Sequence, residues 1–339
     1  MVPSELVKRP RIVPALGGAA ALAWLLVTVT LLPAVATATA EDDRADKTMP
    51  PAAPAAVSFN MGDWQIQQVA WGRLPLNGGP PMPVETVGPQ DREGIPMRRF
   101  GPGKELVYNP TVLAQQGMKR LDAWRKTGDA AHMRIARKIG AKLDEISLEV
   151  RQRRWQPHKY DLIEQESGWV NANSHGLVQS FLSRFYALTG SADRLKDARR
   201  MMAAYDQRPG DPRWFTLVTR TGYLWFEHWP HGRSVHTLNA HINALFGLYD
   251  YWSQTGSPKA QRYFLGGVKT VRDQLHRFRR KGHLSKYSLS SKEGSLHYHH
   301  THISQLRSLA RMTGDDWFAR QAKLLVRDEK VWRASGRPD

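Results

Sequence analysis

The chain has 339 residues, which is ample for one sizeable core and long enough for two domains. It contains no cysteine, which excludes disulfide bonds, so packing alone must stabilise the fold. A formal net charge of +18 favours polyanionic partners; the alternative is a solvated basic surface with no specific partner.

The first forty residues resemble an export signal. An uncharged run over residues 12–40 follows three basic residues, Lys8, Arg9 and Arg11. The run ends in Ala-Thr-Ala, which resembles a small-residue cleavage site, yet it is also long enough to stay in a bilayer. We therefore expect residues 1–40 to be a signal peptide or a signal anchor. The protein is then secreted, or held in the cell envelope through residues 12–40.

Residues 41–105 are rich in Pro, Gly and Ala, as in the run Pro-Pro-Ala-Ala-Pro-Ala-Ala that begins at Pro50. Such a composition is typical of a linker. We predict a linker over residues 41–105 and leave open a short ordered arm near residues 64–71.

An apolar helical pattern begins near Tyr108 and ends four times in Thr-Gly, at intervals of 62, 66 and 58 residues, with the glycines at Gly128, Gly190, Gly256 and Gly314. Glycine just past a helix end adopts the left-handed cap conformation easily. The Asp or Ser that follows can begin the next helix. The pattern predicts an all-α fold: an (α/α) toroid of about four helical hairpins over residues 106–335. A plain helical bundle is the alternative.

In such a toroid, the connections from each outer helix to the next inner helix lie on one rim. Here those connections are rich in aromatic residues and histidine, and they span residues 107–110, 155–169, 208–233 and 281–298. The Thr-Gly turns on the opposite rim are short and plain. We therefore expect a one-sided cleft lined by rings suited to stacking on sugars.

The last of these connections is the most informative segment. It holds two tyrosines and four histidines around the predicted start of a helix: Tyr287, His297, Tyr298, His299, His300 and His302. Such groups donate, accept and titrate, which predicts a polar site. Clustered imidazoles are also common zinc ligands. No carboxylate or cysteine completes a familiar spacing, so we expect neither a metal nor a cofactor.

Three segments, taken in order, resemble one known family. They are Trp-Phe-Glu-His-Trp-Pro at residues 225–230, the helical run over 238–250, and Tyr-His-His-Thr-His-Ile-Ser-Gln-Leu at 298–306. They are similar to the C-terminal domain of D-glucuronyl C5-epimerase, and the resemblance covers about residues 106–335. It implies a four-hairpin (α/α) domain that inverts C5 of glucuronate within a heparan-type polysaccharide.

That reaction removes the proton α to a carboxylate and returns one to the opposite face. It needs two acid/base groups and a means of stabilising the enolate-like intermediate. The resemblance implies that Tyr287 and Tyr298 are the catalytic acid/base residues. For substrate binding we predict Trp225, Glu227, His228, Trp229, Arg233, Asn239, His299 and His302. Trp225 and Trp229 have a core or scaffold role as their alternative.

The chain also departs from the family at defined positions. His228 and Trp229 stand where the family has Glu and Tyr, and Ser290 stands where it has an arginine suited to the substrate carboxylate. Arg233 or Lys292 is our candidate replacement. The leading hypothesis is an isomerase acting on C5 of a polysaccharide uronate. A polysaccharide lyase and a non-catalytic protein that binds anionic glycan stay open.

The expected partner follows from charge and export together. Nucleic acid is the usual partner of so basic a chain. An exported protein instead meets acidic polysaccharides, so we expect an anionic polysaccharide as substrate and no nucleic acid. The oligomeric state stays open, a homodimer included.

Overall fold

A computed structural model describes residues 57–85, 88–100, 105–162, 165–230, 234–291 and 294–336. The predicted signal peptide or anchor over residues 1–40, Arg233 and Lys292 lie outside the described residues. The described chain contains three short antiparallel strand pairs and eight α-helices. In chain order these are β1 (Arg98–Phe100), β2 (Glu105–Val107), α1 (Pro110–Thr127), α2 (Ala130–Glu145), β3 (Leu148–Val150), β4 (Arg153–Trp155), α3 (Ala172–Thr189), α4 (Ala192–Ala204), β5 (Thr216–Val218), β6 (Leu224–Phe226), α5 (Leu238–Thr255), α6 (Pro258–Gln274), α7 (Leu296–Thr313) and α8 (Asp316–Ala334).

The helices form four hairpins, which confirms the predicted (α/α) toroid. Each inner helix, α1, α3, α5 or α7, pairs with the outer helix that follows it. Along the row of inner helices, α1 packs on α3, α3 on α5, and α5 on α7. The α3–α5 contact is so close that a Cβ atom on Gly176 would lie 2.5 Å from the Cα of Ala244. Only a glycine permits this approach.

Each hairpin turns at one of the predicted Thr-Gly pairs. The four glycines adopt left-handed backbone with φ between 63° and 72°. The threonine contributes as much as the glycine. In every turn its hydroxyl donates to the carbonyl four residues earlier at 2.8 Å. The same hydroxyl accepts from the backbone N–H two residues later, at 3.2–3.3 Å.

A second repeat joins the inner and outer helices through buried histidines. The fourth residue of α3, α5 and α7 is a histidine, and its Nε2 lies 3.0 Å from a backbone carbonyl of the outer helix that follows. The pairs are His175–Met201, His241–Gly267 and His299–Leu325. The separation is 26 residues in all three. We call these three side chains the histidine staples. Since carbonyls accept only, each staple carries its proton on Nε2.

Two staples also bind the connection that precedes their helix. Nδ1 of His241 accepts from the N–H of Phe226 at 3.0 Å, and Nδ1 of His299 accepts from the N–H of Ser285 at 2.8 Å. Each of these rings therefore ties an inner helix, an outer helix and a connection together.

Part of the segment predicted as linker packs on the helices. Phe59, Ile66, Leu74 and Ile95 are buried in the hydrophobic core. The backbone N–H of Gln67 donates to the carbonyl of Met312 at 2.7 Å, near the Thr-Gly rim. The arm thus extends well beyond residues 64–71. The composition did not predict this packing, because the segment is mostly polar or small and only single, widely spaced apolar residues fill gaps between the helices.

Within the described part of the chain, no helix is both long enough and apolar enough to cross a bilayer.

Candidate functional site

A cavity of about 570 Å³ lies among the inner helices and the connections. Residues from all four aromatic-rich connections line it, and so do residues of α1, α3, α5 and α7. The predicted cleft side of the toroid therefore holds a pocket whose size suits part of a sugar chain.

Tyr287 and Tyr298 both line this cavity, and their ring centroids lie 4.4 Å apart at an interplanar angle of 48°. Two local structures place them. The carbonyl of Tyr287 accepts from the N–H of Leu238 at 3.2 Å, which holds it against the start of α5. Tyr298 lies in the first turn of α7, where the Ser295 hydroxyl accepts from its N–H at 3.4 Å.

The surroundings of Tyr287 keep its hydroxyl protonated. Burial raises its pKa, and the neighbouring Tyr298 adds to the rise, whereas Trp229 opposes it. At pH 7 Tyr287 is therefore a neutral phenol, which can donate a hydrogen bond or a proton.

An aromatic wall runs along the cavity from these tyrosines. Neighbouring rings in it have centroids 4.4–6.5 Å apart, and the order is Tyr298, Tyr287, His228, Trp229, Trp169 and Tyr160. Trp229 and Trp169 are stacked with an interplanar angle of 19°. Broad faces of this kind stack on the apolar face of a sugar. The wall places the predicted residues His228 and Trp229 in the site.

Side-chain amides of three inner helices form the polar part of the lining. Asn243 donates to Asn173 at 2.8 Å and accepts from Gln305 at 2.9 Å. The predicted residue Asn239 also lines the cavity. Among the described residues, Oδ1 of Asn239 and Oε1 of Gln305 are buried without a hydrogen-bond partner. Buried oxygens without a partner are rare in folded proteins, and both residues line the cavity.

Three cationic side chains of the described residues line the cavity. Arg184 is committed to a buried ion pair, with Nη2 at 2.8 Å from Oδ2 of Asp250. Arg98 on β1 and Lys119 on α1 add positive charge to the same lining. They are candidates for binding a substrate carboxylate, the role for which the sequence suggested Arg233 or Lys292.

Four other predicted site residues lie behind the wall. Trp225 is 1% exposed and stacks on His236 with centroids 4.5 Å apart. Glu227 is completely buried and accepts from Nδ1 of His236 at 2.5 Å. Neither is part of the cavity lining. Strand β6 is buried on both faces, so its residues support the wall, and the chain reaches the cavity only at His228.

His299 and His302 are also buried away from the lining. His299 is a staple, and Nδ1 of His302 lies 2.8 Å from the hydroxyl of Ser285. Burial lowers the pKa of His302 to about 3, so its ring is neutral. Both rings therefore contact the segment just before Tyr287. They face away from the cavity because residues three apart share one face of a helix, and that face packs toward Ser285.

Several cavity residues were missed by reasoning from sequence. They are Arg98, Asn109, Lys119, His158, Tyr160, Asn171, Asn173, Asn243 and Gln305. A local signal existed only for the two helix caps, since asparagine before Pro110 and before Ala172 is typical of an N-cap. Arg98 lies in the segment interpreted as linker.

No group of three or more His, Asp or Glu side chains within the described residues is arranged to hold a metal ion.

A family model for the D-glucuronyl C5-epimerase C-terminus matches residues 147–325, more than half of the chain. The chain belongs to this family. The resemblance noted in the sequence is thereby confirmed. The match includes Tyr160 and every predicted site residue.

Solved structures with a similar helical fold include three carbohydrate-active proteins. A GH76 alpha-mannanase from Bacteroides thetaiotaomicron has a TM-score of 0.47 at 11% identity, over 68% of this chain and 57% of that one. A cellobiose 2-epimerase from Bacillus thermoamylovorans has 0.48 at 11%, over 64% and 58%. An unsaturated glucuronyl hydrolase from Bacillus sp. GL1 has 0.41 at 17%, over 68% and 63%. This chain thus spans less than two thirds of the length of each.

Proposed function

We propose that this protein epimerises C5 of a hexuronate residue, of the glucuronate/iduronate type, within an anionic polysaccharide. The observation that carries the proposal is the contact of Tyr287 with Tyr298, 4.4 Å between ring centroids, in the cavity of a chain from the C5-epimerase family.

The reaction begins at the hydrogen on C5, next to the carboxylate. A tyrosine phenolate accepts that proton, and the electron pair of the C–H bond moves into the carboxylate to give an enolate. A phenol then returns a proton to C5 from the opposite face. Arg98 and Lys119 both line the cavity, and their positive charges stabilise the negative charge that develops on the enolate.

The rest of the lining suits the substrate's other groups. Trp229 offers a ring face to a sugar ring, with Trp169 stacked against it and His158 stacked on Trp169. The side-chain amides that line the cavity suit sugar hydroxyls. The net charge of +18 attracts a polyanion at long range. Residues 1–40 would deliver the protein to the cell envelope or outside the cell, where such polymers are found.

Isotope exchange tests this function directly. The full chain is incubated in deuterated water with a glucuronate-containing heparan-type polysaccharide, and the C5 hydrogen is followed by NMR. Deuterium uptake with an intact polymer supports epimerisation. Ultraviolet absorbance from a new double bond would instead identify a lyase, and binding without either signal would identify a non-catalytic glycan-binding protein.

Tyr298→Phe removes one hydroxyl from the cavity and keeps the ring. Because a positioned acid/base contributes about 10²–10⁴-fold to rate, we expect epimerisation to fall at least 100-fold, measured by NMR as inversion at C5 of the polymer. Tyr263→Phe is the matched control, since its hydroxyl bonds Asp206 and Arg208 on the outer side of the molecule. Retention of more than a tenth of the activity by Tyr298→Phe would contradict its role.

A further inference from the structure

Tyr287 and Tyr298 cannot flank a sugar ring. Their centroids are 4.4 Å apart, so the rings touch each other. A sugar ring held between two groups needs two van der Waals contacts of about 3.5–4.0 Å each, or about 7–8 Å in all. The pair therefore serves one face of C5. If the proposed function is right, on which this inference rests, the proton for the opposite face comes from another residue.

Tyr160 lies at the other end of the aromatic wall and lines the same cavity. In the part of the chain that the structure describes, its hydroxyl oxygen has two polar neighbours. Nδ2 of Asn109 lies 2.7 Å from it, and Nδ1 of His158 lies 2.8 Å from it. Packing alone does not explain why a buried tyrosine hydroxyl has two hydrogen bonds.

Helix capping decides the direction of the first bond. Oδ1 of Asn109 accepts from the N–H groups of Thr111 at 2.9 Å and Val112 at 3.2 Å, which caps α1. The amide nitrogen of Asn109 is therefore the end that faces Tyr160, and it donates.

The same logic applies to His158 through the cap of α3. Oδ1 of Asn171 accepts from the N–H of Ser174 at 2.8 Å, so Nδ2 of Asn171 donates to Nε2 of His158 at 3.1 Å. Burial lowers the pKa of His158 to about 3, so the ring is neutral and has one proton. The Ser174 hydroxyl also lies 3.2 Å from Nε2, and it can rotate to donate there, whereas the amide nitrogen of Asn171 can only donate. Nε2 therefore accepts, and the ring proton is on Nδ1 and is donated to Tyr160.

Two donors thus converge on the oxygen of Tyr160, and neither uses its O–H. The hydroxyl proton is left for a ligand in the cavity, and a phenolate formed by losing it would keep both donors. Burial raises the pKa of Tyr160, while Asn109 and the charge of Arg98 act in the opposite direction. A phenol that is protonated at rest, yet leaves a stabilised anion, is suited to reversible proton transfer.

We propose that Tyr160 is the second acid/base residue, acting on the face of C5 opposite to Tyr287 and Tyr298, with His158, Asn109 and Asn171 as its positioning residues. In one direction the phenolate of the tyrosine pair takes the C5 proton, and the C–H electron pair enters the carboxylate. The O–H of Tyr160 then protonates the other face of C5 and becomes a phenolate. In the reverse direction the roles exchange, and solvent restores the starting protonation states.

Exchange without inversion tests this assignment. Glucuronate-containing and iduronate-containing heparan-type polysaccharides are each incubated with the full-length Tyr160→Phe variant in deuterated water. We expect inversion of both polymers to fall more than tenfold. The epimer whose C5 hydrogen faces the tyrosine pair should still exchange it for deuterium, and the other epimer should not. Tyr298→Phe should show the reverse preference, and Tyr263→Phe should behave as wild type.

Each failure has its own signature. Inversion by Tyr160→Phe within tenfold of wild type, or loss of exchange from both epimers in a folded variant, overturns the role of Tyr160. In both cases wild-type exchange leaves the proposed function standing. Absence of exchange in the wild type with both polymers instead contradicts the proposed function, and this inference with it.

Tyr160→Phe leaves two donors without an acceptor, so its folding is checked by thermal unfolding and near-ultraviolet circular dichroism. A second variant does not have this weakness: a ring-fluorinated tyrosine at position 160 keeps the oxygen and lowers the phenol pKa. The pH midpoint of exchange on the Tyr160 face should then move down. His158→Leu removes a donor and should move it up. Both variants keep Arg98 and Asn109, the other two groups that act on the pKa of Tyr160. An unmoved midpoint in both variants overturns the proposal.

Discussion

Glu227 and Tyr298 show how differently two polar residues can serve one site. Tyr298 lines the cavity, whereas Glu227 is completely buried beneath it and bonds His236 through both side-chain oxygens, at 2.5 and 3.2 Å. The sequence offered both as functional residues because each lies in a segment shared with the family. Only the packing shows that Tyr298 faces the cavity, whereas Glu227 supports the segment that carries His228 and Trp229.

Glu227→Gln tests that separation. The change keeps the shape but weakens a charge-assisted hydrogen bond in a buried setting, which contributes about 1.5–3 kcal/mol. We expect the free energy of unfolding to fall by about this amount in urea titrations, while epimerisation stays within threefold of wild type. A loss of activity above 100-fold with unchanged stability would instead place this carboxylate in the reaction.

Three of the four hairpins are held at both ends by contacts that repeat along the chain. The Thr-Gly turn closes one end through a left-handed glycine and a threonine hydroxyl that both donates and accepts. Near the other end, the histidine staples join inner helix to outer helix across 26 residues. The site residues sit at the stapled end, so the staples give the connections a rigid base.

His241→Leu removes one staple while keeping the side chain about the same size. The N–H of Phe226 and the carbonyl of Gly267 then lose their partner in a buried environment. Each unsatisfied group destabilises by about 1–3 kcal/mol, so we expect a total of about 2–6 kcal/mol in chemical unfolding. His276→Leu is the control, because that ring is exposed and its Nδ1 bonds the carbonyl of Asp273, three residues away on the same segment. Equal stabilities of the two variants would show that the staples do not brace the fold.

Buried neutral histidines make the stability of the whole molecule depend on pH. Burial lowers the pKa of His175, His228 and His241 to about 4, and that of His158 and His302 to about 3, from an ordinary value of 6.5. The unfolded chain takes up protons near pH 6.5, but the folded chain does not. The stability from these groups is therefore complete above about pH 6.5 and is lost as the pH falls toward 4.

Thermal unfolding between pH 7.5 and 4.5 measures this linkage. We expect the midpoint temperature to be level above pH 6.5 and to fall steadily below it. The His241→Leu variant, which has one such histidine fewer, should show a shallower decline from its lower starting point. A constant midpoint down to pH 4.5 would mean that these rings titrate normally in the folded state.

Local chemistry accounts for what could be predicted before the structure. A helix end, a left-handed glycine and a cap each depend on a few neighbouring residues, so four Thr-Gly pairs were enough to predict four hairpins. The pairing of Tyr287 with Tyr298 was predictable for a similar reason, since one connection and the helix after it carry both.

Contacts between distant hairpins could not be predicted in this way. The orientation of His158 depends on a cap in α3, that of Asn109 on a cap in α1, and both converge on Tyr160 from separate parts of the chain. Arg98 reaches the cavity from a segment whose composition resembles a linker. Local sequence encodes which residues form helices and turns, but packing across some sixty residues per hairpin decides which side chains meet. The second face of the site is therefore a property of the tertiary structure.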